Sequence, residues 1–387
     1  MRLAHLTWLL SARGGGIPPV ARALADEQRR AGHEVRILGV EDPAAQGEPE
    51  VGEQHRALGP LALGFAPGLG RALGRDGPDL LHLHGLFTWP SQVASGWGAR
   101  TGRPVLVSPH GMLQSWALAN SAWKKRLFRF LVEDRNLSRA RCLHALCEDE
   151  ALSLRRLGLT NPVAVVPNGV ALDEVPATPD RSALVRAHPE LAGRRILLFL
   201  GRIHPKKGIP LLLDAWGRLR DEGALGGWLL LVVGPDQVGH AAEIRARVSA
   251  LRLEQEVRLW GPAYGEEKKA MLAAADAFVL PSYSEGFSMA VLEAMAWGLP
   301  ALVSRPCNLD VEAPGAGLLC EPEEGSVAER LRALLSLSDD ERRAMGSRGR
   351  AEVERRYTWP VVAAQFVQVY QWLLGGGAPP ATVESAR

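Results

Sequence analysis

What most limits the folds open to this chain is the alternation of two periodicities along it. Short, nearly continuous apolar runs give way, again and again, to longer stretches whose apolar residues recur every three or four positions. The runs are Arg2 to Leu9, His33 to Val40, Asp79 to His84, Pro104 to Pro109, Cys142 to Leu146 and Val163 to Val166, then Arg195 to Leu200, Trp228 to Val233, Val257 to Trp260, Phe278 to Pro281 and Ala301 to Ser304. Strands that are apolar throughout, separated by amphipathic helices, belong to parallel sheets covered on both faces. At 387 residues, two such domains are expected. The fold class is therefore α/β, with two doubly wound parallel sheets.

The break between the halves falls where periodicity fails, at Pro167 to Pro189, which also holds Pro176 and Pro179. The expected division is a first domain over residues 1–170, a linker over 171–192 and a second domain over 193–356. A helix over 357–374 follows, with apolar Val361, Val362, Phe366, Val369, Tyr370 and Leu373 that require a partner. Residues 375–387, opening Gly375-Gly376-Gly377 and then Pro379-Pro380, are expected to be disordered. Further helices are expected near 90–100, 117–138, 148–157, 326–336 and 339–356.

One stretch, Pro281 to Gly298, carries the clearest chemistry. It follows an apolar run and opens a helix, so Glu285 sits where strand becomes helix. The N–H groups of Gly286, Phe287 and Ser288 are then expected to lie unpaired at a positive helix end, a setting that holds phosphate. Glu293 follows eight positions later, roughly 12 Å along a helix axis at 1.5 Å per residue. Carboxylates that cleave one glycosidic bond together stand roughly 5 to 9.5 Å apart, so this pair suits the two ends of an extended ligand instead. A diphosphate flanked by a sugar and a ribose fits that description. Arg202 and Lys207, in Gly201-Arg202-Ile203-His204-Pro205-Lys206-Lys207-Gly208 after the first strand of the second half, stand where a diphosphate could be clamped and its leaving charge neutralised.

Other chemistries are less well served. Cys142, Cys147, Cys307 and Cys320 show neither CxxC nor Cys/His ligand spacing. The first turn reads Gly14-Gly15-Gly16-Ile17-Pro18-Pro19, with prolines where a dinucleotide fingerprint needs its last glycine. Glu41 and Asp42 do follow the second strand, which keeps a nicotinamide reading open. The net charge of +2 is ordinary and no nucleic-acid partner is expected. No apolar stretch reaches the roughly 18 residues that span a bilayer, and the start of the chain lacks the apolar core and cleavage site of a signal peptide, so a cytoplasmic protein is expected.

Glu285 and Glu293 with Arg202, Lys207 and Gly286 closely resemble the retaining glycosyltransferases of the GT-B fold, family 4. The likeness extends to Gly15-Gly16, His110-Gly111, Pro167-Asn168-Gly169-Val170 and Tyr357-Thr358-Trp359. It implies two Rossmann-like domains facing a central cleft, with the helix after Tyr357 crossing back to the first. It implies that Arg202 and Lys207 bind the donor diphosphate, with Gly286, Phe287, Ser288, Gly15 and Gly16 beside it. Glu285 would then hold the donor sugar, Glu293 the ribose, and His110 would stand at the reactive centre. Trp260, Gly261 and Tyr264 would border the base, with a UDP-sugar favoured over a GDP-sugar. Many members carry glycine where this chain has Ser288-Met289, which leaves the sugar open. No metal and no cofactor are expected. His82 and His84 could pass for metal ligands, but no D-x-D triplet accompanies them; one is read as core and His84 as rim of the cleft. Ser108 to Leu113, Trp116-Ala117-Leu118, Trp123-Lys124-Lys125 and Leu143-His144-Ala145 resemble the subset that builds surface polysaccharides on saccharide or lipid-linked acceptors. The cations and aromatics from Trp123 to Phe130 suit an anionic membrane on its inner face. The alternatives left are a non-catalytic nucleotide-sugar-binding protein and a GT-B epimerase.

Overall fold

A computed structural model describes residues 1–45, 52–74, 77–114, 132–176 and 179–385. The cluster Trp123 to Phe130, and with it Trp116, Ala117 and Leu118, lies outside the described residues. The chain forms two compact units: Met1–Gly169 together with Trp359–Arg387, and Val170–Thr358 between them.

The first unit is built on strands β1 (Arg2–Leu9), β2 (Glu34–Val40), β3 (Glu53–His55), β4 (Leu80–His84), β5 (Val105–Ser108), β6 (Cys142–Ala145) and β7 (Val163–Val165). With a terminal strand, Val383–Glu384, they form an eight-stranded sheet in the order terminal, β7, β6, β5, β4, β1, β2, β3. All pairings are parallel except that of the terminal strand with β7. The expectation of a disordered tail is corrected here. Val383 is buried and pairs with Ala164, and Val165 N–H donates to Thr382 O. An open sheet edge had to be covered, and glycines and prolines upstream concealed the strand that covers it.

The side chains of each strand alternate between two layers. One layer holds Leu6, Leu81, Leu83, Val107, Leu143 and Trp97. The other holds Leu3, Leu24, Ile37, Leu80, Leu106 and Ala164, closed by Val362, Phe366, Val369 and Tyr370 of the terminal helix Trp359–Gly375. That helix thus belongs to the first unit's core. The same layer carries His5, His82, His84, Ser108 and His144, all buried, because His5 stands opposite His82 and His84 opposite Ser108 in the strand register.

The second unit has a six-stranded, wholly parallel sheet of β8 (Arg195–Leu200), β9 (Trp228–Val233), β10 (Val257–Gly261), β11 (Ala277–Leu280), β12 (Ala301–Ser304) and β13 (Gly317–Cys320), in the order β10, β9, β8, β11, β12, β13. β3, β13 and the terminal strand have no counterpart among the expected strands; each is short and lies at or next to a sheet edge. The supposed linker is also corrected. Val175, Leu184 and Leu191 are buried in the second unit, and Arg181 ties it to Asp276 of that unit at 2.7 Å. Pro189 begins the short 3-10 turn Pro189–Leu191 that buries Leu191. Among the described residues no helix is long and apolar enough to cross a membrane.

In both units the first strand lies mid-sheet, with its successors on one side and the later strands on the other. The chain reverses between β1 and β4, and again between β8 and β11. Loops leaving the carboxyl ends of such a pair diverge and leave a crevice.

The helix Met289–Ala296, which carries Glu293, is held by the helix Asp339–Arg356. A Cβ at Gly346 would lie 1.8 Å from Gly298 O, so only glycine permits this approach. Gly346→Ala should destabilise the second unit by about 2–3 kcal/mol, seen as a lower urea midpoint with unchanged slope. Gly325→Ala, where a Cβ meets nothing within 4 Å, should not lower the midpoint.

Candidate functional site

In the second unit the loops after β8 and β11 meet. Gly208, with φ of 70°, approaches so closely that a Cβ would stand 2.1 Å from Pro281 O, and Tyr283 N–H donates to Lys206 O at 2.8 Å. This contact brings two of the expected residues together: Lys207 Nζ donates to Glu285 Oε1 at 2.6 Å, both side chains being 9% exposed. Ser282 Oγ donates to the same oxygen at 2.7 Å. Asn308 Nδ2 holds the Glu285 and Gly286 carbonyls at 2.8 and 3.1 Å, and Glu285 N–H donates to Pro306 O. Burial pushes the Glu285 carboxyl up, but the Lys207 and Lys206 ammonium groups and the hydrogen bonds from Lys207 and Ser282 outweigh it, so the carboxyl is held below the usual range. It is an anion at neutral pH.

Ser288 stands at the N-cap of the helix Met289–Ala296 with an extended backbone. The N–H groups of Phe287 and Ser288 have no hydrogen-bond partner among the described residues. They are the donors a phosphate would take. Glu293, on the same helix, accepts from Lys268 Nζ at 2.7 Å, a partner 25 residues away for which the sequence holds no signal. Arg202 shares the β8 loop, yet its exposed guanidinium rests on Gln237 Oε1 at 2.7 Å rather than on the Lys207–Glu285 pair. Trp260 and Gly261 end β10 and Tyr264 follows, 69% exposed; the Trp260 indole N–H donates to Glu267 at 2.9 Å, and its ring stands edge-on to His188. They share the carboxyl end of the sheet with the loops above, two strands from β8.

In the first unit Gly15 and Gly16 lie in the loop after β1, at the reversal point. Gly15 has φ of 70°, and a Cβ at either would meet nothing within 4 Å. Asp42 is no ribose ligand. Its buried carboxylate accepts from Ser11 Oγ at 2.6 Å and pairs with Arg13, bracing the β1 loop. His110 follows β5 and takes φ of 52°, a left-handed conformation costly for a side chain of this size. The next residue's N–H, on Gly111, donates to Glu150 Oε1 at 2.5 Å, and Glu150 Oε2 accepts from Leu146 N–H.

His84 is corrected from rim to core: it is 2% exposed, as buried as His82 at 1%. Ring nitrogens of His5, His82 and His84 lie within 4.8 Å of one another, but each already has a hydrogen-bond partner. His5 bonds Gln28 and His84, His82 bonds Tyr370 and Ser108, and His84 bonds His5 and His110. A cation there would have to break these bonds, so the cluster reads as a network of neutral rings. Burial drives His5 and His144 down to about 4, and burial with the neighbouring His144 drives His110 down to about 3. His82 and His84 are pushed well below the usual value, by burial first and then by a neighbouring ring, His84 beside His82 and His5 beside His84.

A group neutral when folded, but with a pKa of 6.5 when unfolded, makes the unfolded state the better proton acceptor in acid. Stability is then full above pH 6.5 and falls as pH drops towards 4. Between pH 6.5 and 5.5 each buried histidine should cost ~1 kcal/mol. Melting curves should show the first unit weakening steeply over this range, and a flat profile would exclude the neutral network.

Two family models match the chain: "Glycosyl transferase 4-like domain" over residues 15–169 and "Glycosyl transferases group 1" over residues 180–352. A phosphatidyl-myo-inositol mannosyltransferase of Mycobacterium leprae is 28% identical over 94% of this chain and 95% of its own length. A D-inositol 3-phosphate glycosyltransferase of Kineococcus radiotolerans is 30% identical over 92% of this chain and 90% of its own. Among solved structures, Anabaena HepE in complex with UDP superposes with a TM-score of 0.76 at 18% identity, covering 95% of this chain and 98% of that one.

Proposed function

The chain belongs to the group 1 glycosyl transferases of the GT-B type, and from that membership we propose that it moves a sugar, with retention of configuration, from a nucleotide-sugar to a saccharide or lipid-linked saccharide acceptor. The observation that carries this reading is the buried Lys207–Glu285 pair where the β8 and β11 loops touch. It sets a cation beside an anion at the one end of the sheet where a parallel fold accepts ligands. The ammonium has three donors and uses one of them on Glu285. The diphosphate takes another, along with the Phe287 and Ser288 N–H groups and the Arg202 guanidinium. Glu285 accepts from sugar hydroxyls, Glu293 from the ribose, and His110 meets a hydroxyl of the transferred sugar.

As the bond from the anomeric carbon to the diphosphate oxygen breaks, negative charge gathers on the leaving nucleoside diphosphate. Lys207 and Arg202 neutralise it in place, a task otherwise given to a divalent metal. The acceptor hydroxyl oxygen forms the new bond to the same carbon, and its proton leaves with the phosphate. A UDP-sugar is the favoured donor, a reading supported by the Anabaena neighbour's UDP. Surface polysaccharide assembly at the inner face of the membrane is the setting in which such an acceptor would be met.

A panel of UDP- and GDP-sugars, followed by thermal shift and by product formation, tests this. A bound donor at 100 times its Kd adds about 2.7 kcal/mol of stability. Lys207→Ala and Arg202→Ala should each slow turnover about a hundredfold, and EDTA should change nothing. Wild-type rates in both variants would remove the assignment, as would a strict requirement for added magnesium or manganese.

The two carboxylates should also separate kinetically. Glu293→Gln should raise KM for the donor with little change in kcat, because the ribose does not react. Glu285→Gln should lower kcat and also cost the second unit about 3 kcal/mol, since it leaves Lys207 buried without its counter-charge. Equal, small effects on both would sink the roles given to them.

A further inference from the structure

The hydrogen bonds around the buried histidines form one continuous file, and its direction can be read from a single atom. His144 Nε2 lies 2.7 Å from Val166 O. A carbonyl can only accept, so this nitrogen carries the proton. A neutral imidazole has one N–H, so Nδ1 of His144 is bare and accepts from Ser108 Oγ at 2.7 Å. The hydroxyl has given its proton away and must accept in turn from His82 Nε2 at 2.6 Å. His82 Nδ1 is then bare and accepts from Tyr370 Oη at 2.7 Å. The phenol oxygen accepts from Gln28 Nε2 at 3.3 Å, which turns the amide oxygen towards His5 Nε2, 2.8 Å away. His5 therefore donates there, and its Nδ1 accepts from His84 Nε2 at 2.8 Å. His84 Nδ1 accepts from His110 Nε2 at 3.0 Å. The file ends on His110 Nδ1, which has no partner among the described residues.

Reversing the file would require the Val166 carbonyl to donate, or a second proton on His144. Full burial and the absence of any carboxylate among the members disfavour such a cation. His84 and His110 are also stacked, with 16° between their planes, so the terminal ring is fixed in orientation as well as in protonation.

We propose that this file holds His110 in the Nε2–H tautomer and presents its Nδ1 lone pair as a fixed acceptor for one hydroxyl of the transferred sugar, with Ser108, Tyr370 and Gln28 as positioning residues that never touch substrate. The proposal rests on the reading of the chain as a sugar transferase with His110 at the donor sugar. It adds a direction to that contact: a hydroxyl must donate to His110, and a group that can only accept, such as a deoxy-fluoro position, is refused. The residues doing this lie on β5, the terminal helix and the helix Ile17–Arg30.

Nitrogen-15 spectra of the histidine side chains of the full chain, recorded without substrate, test the tautomer apart from any activity. All five rings should show a pyrrole-like Nε2 and a pyridine-like Nδ1, unchanged between pH 8 and pH 5.5. Ser108→Ala and Tyr370→Phe each delete one oxygen and cut the file at different points. In both, His110 should lose its single tautomer and show exchange-averaged nitrogens, while kcat falls about tenfold at nearly unchanged donor KM. A His110 proton on Nδ1 in the wild type, a ring that titrates near 6.5, or spectra of His110 identical in both variants would overturn the proposal. So would a His110 Nδ1 resonance that does not move when a donor that is turned over is added. If no sugar donor is turned over at all, the transferase reading fails while the tautomer measurement still reports on the file.

Discussion

Everything in the candidate site depends on where a parallel sheet lets its chain reverse. Strands that all run one way must be joined by crossovers, and a chain that begins mid-sheet and fills one side before the other leaves two neighbouring strands whose loops part company. In the second unit those strands are β8 and β11, and the backbones of their loops are brought together by Gly208 against Pro281 and by Tyr283 against Lys206. Lys207 and Glu285, 78 positions apart, are brought to 2.6 Å by that contact. Neither residue would keep its charge so deeply buried without the other, so the backbone approach and the ion pair stabilise one another.

The two units solve a burial problem in opposite ways. In the second, charge is buried and compensated by an opposite charge. In the first, titratable rings are buried and emptied of charge, and polarity is satisfied by passing hydrogen bonds from one ring to the next. A file of neutral groups gives every ring nitrogen a partner except at its end, which avoids the penalty of an orphaned polar atom. It also means that a stripe of polar atoms crosses an otherwise apolar layer containing Leu3, Ile37, Leu106 and Phe366, a layer that purely apolar side chains could fill.

Much of this was legible in the residues. The strands with continuous Leu, Val and Ile, such as Arg195–Leu200 and Trp228–Val233, announce themselves, and so does the capping-box helix Asp339–Arg356. Glu285, Glu293, Arg202 and Lys207 stand out because their spacing matches a family's. What could not be read are pairings decided by the sheet order. His5 and His82 are 77 positions apart, and nothing local says that β1 and β4 become neighbours. Lys268 has the look of any helix-surface lysine. The short strand Val383–Glu384 has two residues, too few for a period, and the turn-prone residues before it suggested the contrary. Asp42, by contrast, looked like a ligand and proved to be a brace, because a carboxylate after a strand suits a ribose and a serine hydroxyl equally well.

The interrupted layout of the first unit has a consequence for how the protein is born. Residues up to Gly169 emerge from the ribosome first, but the layer that holds the histidines lacks its cover until the helix Trp359–Gly375 has been made, and the sheet edge at β7 lacks its neighbour until Val383. The second unit is one uninterrupted segment and can reach its final state during synthesis. The first half must therefore wait, with apolar Leu3, Leu106 and Val166 uncovered, through the translation of some two hundred further residues, on the order of ten to forty seconds at typical elongation rates. Residues from Trp359 to Val383, translated after the whole of the second unit, are thus the ones that complete the first unit.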